Sequence, residues 1–291
     1  MCIFDLVKTN TEDNLFLHGL FKRGNDKEKY AVLHIHGFEG DFFSDQFLTV
    51  EANGLLENGH SFLSAQTRGT GSEFEFTTTA GEIKEIGCSY ELMKDAYKDI
   101  DAWVEYLVEN GFHNIVLQGH SLGTVKVIRY LAEGNHTKYI KKVVLLSPID
   151  IHALIEIASD GKYKEYLSQA KKKIDKGEGR EIMPESFINM RVSYQTFASW
   201  LTMDHFGKMF NFADEDNNFM LLNKIDIPVK AIVGSDDNLF HPMNPTNTQE
   251  AIDIMKLNIQ DFKYMIIEGA GHIFTSKEHD LAHEIISFLE T

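Results

Sequence analysis

The stretch NIVLQGHSLGTVKVIRYLA, Asn114 to Ala132, decides how the chain is read. Its first part, Asn114 to Gln118, is a short apolar run such as a strand buried on both faces shows. Its second part sets Val125, Ile128 and Ala132 at helical spacing. Between them Gly119-His-Ser-Leu-Gly123 matches the G-x-S-x-G elbow, whose glycines let strand and helix approach closely while the serine occupies a strained turn. A buried strand that turns at a serine straight into a helix makes Ser121 a candidate nucleophile.

Working outward, similar Val-, Ile- and Leu-rich runs recur at Ala31 to Ile35, Ser61 to Ala65, Val143 to Leu146, Val229 to Val233 and Tyr264 to Ile267. Each reads as a strand buried on both faces. Helical spacing lies between them, as in Tyr97, Ile100, Trp103, Val104 and Leu107, and again in Leu281, Ile285, Phe288 and Leu289. The looser alternation of Ile3 to Val7 and Leu15 to Lys22 around Thr9-Asn-Thr-Glu-Asp-Asn14 predicts an antiparallel edge hairpin. The expected fold class is therefore α/β: a mostly parallel, eight-stranded sheet with helices on both faces.

One interval breaks the alternation. Between Pro148 and Val229 lie about 80 residues, where a crossover needs far fewer. The expected division is a core of residues 1–148 and 226–291 with a helical cap at 149–225, inserted after the sixth strand. In the cap, Phe197, Trp200, Met203, Phe206, Met209 and Phe210 recur at spacings of three and four, forming one apolar face. That face is fit to pack on the core, to line a pocket or to meet a second copy of the chain, so a homodimer is weighed as a partner; Trp200, Phe197 and Phe206 are the candidate substrate contacts.

Length and a 43% hydrophobic composition allow a sizeable core. The net charge of −16 argues against nucleic acid or an anionic membrane as partner. No apolar run approaches the roughly 20 residues that cross a bilayer. Two cysteines and a start, Met1-Cys-Ile-Phe-Asp5, without basic or apolar signal character lead us to expect a cytoplasmic protein with a small-molecule ligand.

A serine hydroxyl becomes a useful nucleophile only with a base, an acid that orients the base, and donors for the oxyanion. The base is expected at His272, in Ile267-Glu-Gly-Ala-Gly-His272 after the last strand. His279 and His283 fall within the final helix, His34 lies within a strand, and His241 is expected at the surface. Val233-Gly-Ser-Asp-Asp237 ends a late strand with two aspartates, of which Asp237 is preferred over Asp236; Asp150 is a third candidate. Leu33-His-Ile-His-Gly-Phe38 ends a strand in a tight turn, making the backbone amides of Phe38 and Leu122 the oxyanion candidates. No metal is expected at His34-Ile-His36, because i and i+2 on a strand face opposite ways, and no cofactor is expected.

The segments His36-Gly-Phe38, Gly119-His-Ser-Leu-Gly123, Gly234-Ser-Asp-Asp237 and Gly269-Ala-Gly-His272 together resemble the α/β-hydrolase superfamily, with its chain order of Ser, Asp and His. Within it, His36-Gly-Phe-Glu-Gly40, Ile140 to Pro148 and Ile267 to His272 are similar to bacterial cinnamoyl or feruloyl esterases and, more loosely, to siderophore-esterase-like hydrolases. The resemblance implies a serine esterase with a cap shaping its acyl site. The chain departs from the small cinnamoyl esterases in its longer insertion and in Thr124, which follows Gly123 where they carry a second glycine. A thioesterase or acyltransferase would use the same residues, and a non-catalytic ligand receptor is the alternative from another class.

Overall fold

A computed structural model of the chain describes residues 3–26, 28–202 and 208–291. The eight strands of the main sheet are β1 (Asp5–Asn10), β2 (Phe16–Lys22), β3 (Ala31–Ile35), β4 (Ser61–Ala65), β5 (Ile115–His120), β6 (Ile140–Leu146), β7 (Val229–Gly234) and β8 (Phe262–Ile267). They lie in the order β1-β2-β4-β3-β5-β6-β7-β8. The pairs β1/β2 and β2/β4 are antiparallel, and every other pair is parallel. The N-terminal hairpin therefore forms the edge, as its alternation predicts.

Period-two alternation sorts the strand residues onto two cores. Leu33, Ile35, Leu117, Val143, Leu145, Ala231 and Val233 face one core, while Val32, Val116, Val144, Leu146 and Ile232 face the other. The first is covered by α2 (Ala96–Glu109), α3 (Leu122–Glu133) and α7 (Thr248–Asn258), the second by α1 (Gln46–Glu57) and α8 (Glu278–Leu289). β8 departs from the expectation of burial on both faces: as the outer strand it has one neighbour, and among its residues only Ile267 is buried. A short antiparallel pair, Glu75–Thr77 with Ile83–Glu85, stands outside the main sheet.

Between β6 and β7 the chain adds α4 (Ile151–Ala158), α5 (Tyr163–Asp175) and α6 (Tyr194–Thr202). Ser89 anchors this segment: its carbonyl accepts from Ser193 N at 2.8 Å and Thr196 Oγ1 at 2.9 Å, and its hydroxyl donates to the Arg191 carbonyl at 2.7 Å. Ile155, Phe197, Trp200 and Phe210 are buried in the same continuous core as α2 and α3. Burial of each such side chain contributes about 1.5–3 kcal/mol. Met203 and Phe206 lie outside the described residues; Met209 and Phe210 fall in a turn rather than continuing a helical face. Among the described residues, no helix is long and apolar enough to cross a membrane.

Candidate active site

Ser121 occupies the turn between β5 and α3 with φ 54° and ψ −123°, a conformation costly for a residue with a Cβ. The surroundings over-determine it. Ser121 N donates to the Leu146 carbonyl at 2.9 Å, and the Ser121 carbonyl accepts from Thr124 N at 2.9 Å. Gly123 is required beside it, because a Cβ there would sit 2.2 Å from the Ile35 carbonyl oxygen. The start of α3 can therefore pack against the end of β3, which brings Ser121 to the loop that follows that strand.

The loops after β7 and β8 bring Asp237 to His272. His272 Nδ1 lies 3.0 Å from both Asp237 carboxylate oxygens, so Nδ1–H donates to the acid. Burial would push the Asp237 carboxyl up, but the His272 hydrogen bond and charge, with the Leu239 amide donating at 3.0 Å, hold it below the usual carboxylate range. Asp236 is exposed and takes the Ser235 hydroxyl instead. Asp150 does not face His272; its carboxylate caps α4 through Ala153 N at 2.9 Å and accepts Phe212 N at 3.2 Å. Burial pushes Asp150 up to about 7, despite those backbone donors.

The described residues show no hydrogen bond between Ser121 Oγ and His272. What joins their loops is His120, whose Nε2–H donates to the His272 carbonyl at 2.9 Å. His279 and His283 are exposed on α8, whereas His34 is fully buried. His241, expected at the surface, is buried with its ring 5.8 Å from that of Phe212; the returning end of the insertion covers it, which its place beside Asp237 in sequence does not reveal.

The turn after β3 is fixed from behind by His36. Burial, then the nearby Lys126 charge, pushes this imidazole down to about 3, so it is neutral. A carbonyl can only accept, so Nδ1 carries the proton and donates to the Gly37 oxygen at 2.9 Å. The other nitrogen, Nε2, then accepts from Thr67 N at 3.3 Å, with the Thr67 and Thr70 hydroxyls at 3.0 and 3.1 Å. Since C=O and N–H of a trans peptide point oppositely, pinning the Gly37 oxygen turns the Phe38 N–H to the other side. Gly37 itself must be glycine, because a Cβ would lie 2.8 Å from Ser121 Cβ.

Ser121 opens onto an apolar cavity of about 210 Å³ walled by Phe38, Leu122, Ile149, Ile151, Leu154, Met190, Trp200 and Leu239. Phe38 meets Trp200 edge-on at 5.8 Å. Of the cap residues expected at substrate, Trp200 stands on this wall, Phe197 is fully buried in the core without reaching it, and Phe206 lies outside the described residues. Ile151 and Leu154 carry an i, i+3 signal in the apolar run that opens the insertion, whereas Met190 and Leu239 carry none. Larger clefts of about 280 Å³ beside His152 and about 420 Å³ beside Lys138 contain none of Ser121, Asp237 and His272.

Residues 86–289 match the family described as Protein of unknown function (DUF1749). Among curated proteins, none matches. Among solved structures, the chain is similar to the esterase Pf2001 of Pyrococcus furiosus, at 20% identity and TM-score 0.61 over 99% of this chain and 90% of that one. It is similar to the α/β hydrolase GrgF of Penicillium sp. sh18, at 16% identity and TM-score 0.70 over 99% and 98%. It is also similar to Est1E of Butyrivibrio proteoclasticus, solved with ferulic acid bound, at 16% identity and TM-score 0.65 over 97% of each chain. The fold is that of the α/β hydrolases.

Proposed function

This chain belongs to the family described as Protein of unknown function (DUF1749), and for it we propose serine-hydrolase chemistry: cleavage of a carboxylic ester with a small or aromatic acyl group. The observation that carries the reading is Ser121 on its strained elbow at the mouth of an apolar cavity, with the His272–Asp237 pair on the neighbouring loops. His272 takes the Ser121 proton as Oγ attacks the ester carbonyl, and Asp237 holds the imidazole with Nδ1 protonated and Nε2 free to accept. The amides of Phe38 and Leu122 receive the oxyanion. The imidazolium returns its proton to the departing alcohol, and water, deprotonated by the same nitrogen, releases the acid.

The helical segment 149–225 serves as a cap in this reading, because Ile149, Ile151, Leu154, Met190 and Trp200 supply most of the cavity wall. Such a wall favours an uncharged acyl group. Its size sets a limit: an apolar cavity of about 150 Å³ takes a benzene, so 210 Å³ suits a phenyl ring with a short linker or a short alkyl chain. Rates on p-nitrophenyl acetate, butanoate, octanoate and hexadecanoate, with methyl cinnamate beside them, test this. We expect kcat/KM to peak at butanoate or octanoate, with cinnamate accepted. A maximum at hexadecanoate would contradict the acyl assignment, and a faster reaction with matched thioesters than with oxygen esters would favour a thioesterase.

A further inference from the structure

His120 fills the variable position before the nucleophile, and the chemistry above gives it no part. It is 4% exposed, and its ring is gripped edge-on by Phe47 at 5.3 Å and flanked by Phe274 at 6.5 Å. Its two nitrogens have different partners. Nε2 lies 2.9 Å from the carbonyl oxygen of His272 and must donate to it, which leaves Nδ1 as the unprotonated nitrogen of a neutral ring. Nδ1 lies 3.7 Å from Asp45 Oδ2.

Asp45 holds the N-cap position of α1, where an aspartate ordinarily accepts a backbone N–H of the first turn, yet its side chain makes no such bond. Its carboxyl is turned to His120 instead. Burial, reinforced by Asp41, raises that carboxyl to about 6. The His272 carbonyl selects the tautomer with Nε2 protonated, and burial keeps the ring from charging down to about pH 4.

Resting on the serine-hydrolase reading, we propose that His120 is a positioning residue: its Nε2–H, donated to the His272 carbonyl, ties the loop of the base to the elbow of the nucleophile. Ser121 and His272 share no hydrogen bond among the described residues, and Asp237 holds only the His272 ring, so this tie joins the His272 backbone to the residue beside Ser121. A base loop released from the elbow gives up alignment at the proton-transfer step, while the acyl cavity, walled by other residues, keeps its shape.

The test compares His120→Gln, whose side-chain amide can place an N–H near Nε2, with His120→Met and His120→Phe, which fill the space and donate nothing. Rates on p-nitrophenyl butanoate are measured beside thermal melts. We expect Met and Phe to lower kcat by about 10- to 100-fold with KM held within about twofold, and Gln to recover most of the loss. If Phe does not fold, the Met and Gln pair decides. Wild-type kcat in the folded Met variant, or equal losses in Met and Gln, would overturn the proposal. A wild-type protein that hydrolyses no ester, with Ser121→Ala no different, would instead overturn the reading on which it rests.

Discussion

Replacing Ser121 by Ala is expected to lower kcat on p-nitrophenyl butanoate by about 10⁴- to 10⁶-fold while leaving the melting temperature near that of the wild type. The asymmetry follows from where the cost of the elbow lies. Its left-handed backbone strains any residue with a Cβ, and Ala and Ser share that Cβ, so the exchange adds no strain. The bonds from Ser121 N to Leu146 O and from Thr124 N to Ser121 O belong to the backbone and survive. Only the attacking oxygen is lost. A comparable loss of kcat accompanied by unfolding would place Ser121 among structural residues, and retention of most activity would remove it from the chemistry.

Glu51 is expected to give up a stabilising contribution as the pH rises from 5 to 8, so that the stability difference between the wild type and Glu51→Gln shifts against the wild type over that range. Glu51 is fully buried on α1, and burial pushes its carboxyl up to about 8 although Gln118 Nε2 donates to it at 3.0 Å. Gln118 in turn offers a hydrogen to His34 Nδ1 at 2.9 Å, forming a neutral polar row through the second core. The sign follows from proton binding. Between the ordinary carboxyl value of 4.5 and about 8 the folded chain holds a proton that the unfolded chain has released. The stabilisation is whole below 4.5 and is lost as pH climbs through 8, on the order of 4 kcal/mol between pH 5 and 8. Urea denaturation at pH 5 and 8 measures it. Parallel pH dependence in wild type and Glu51→Gln would show that Glu51 is not the group responsible; Asp150, buried and raised to about 7, would then be examined next.

The sheet was legible because strands covered on both faces leave continuous apolar runs, and Ala31–Ile35 and Ser61–Ala65 have the bounds those runs predict. The outer strand β8 wrote its run too, at Tyr264 to Ile267, but not its one-sided exposure, and the short pair Glu75–Thr77 and Ile83–Glu85, exposed except at Phe76, writes no such run. Charges inside the fold were equally hidden. Arg68 is buried against Asp99 at 2.8 Å, Lys126 against Glu91 at 2.8 Å, and Lys142 reaches from β6 to the Phe288 carbonyl at 2.8 Å near the end of α8. In sequence each resembles an ordinary surface charge, and only tertiary pairing reveals its place.

At the site, spacing along the chain brought Ser121, Asp237 and His272 to one sheet edge because strand ends are where a parallel sheet gathers its loops. It could not separate Trp200 from Phe197, three residues apart on α6, because the choice between cavity wall and core depends on how the helix is rotated against Phe38. Nor could it show that His36 and His120, which flank Gly37 and Ser121 in sequence, are neutral donors to backbone carbonyls.

The central claim is that Ser121 is a nucleophile activated by His272, and a fluorophosphonate probe meets it without any assumption about substrate. The serine oxygen displaces fluoride from phosphorus and leaves a stable adduct, which peptide mass spectrometry locates. Near-stoichiometric labelling of the peptide carrying Ser121, abolished in Ser121→Ala and strongly slowed in His272→Ala, is the result predicted. An unlabelled wild-type protein, or an adduct that persists in Ser121→Ala, would contradict it.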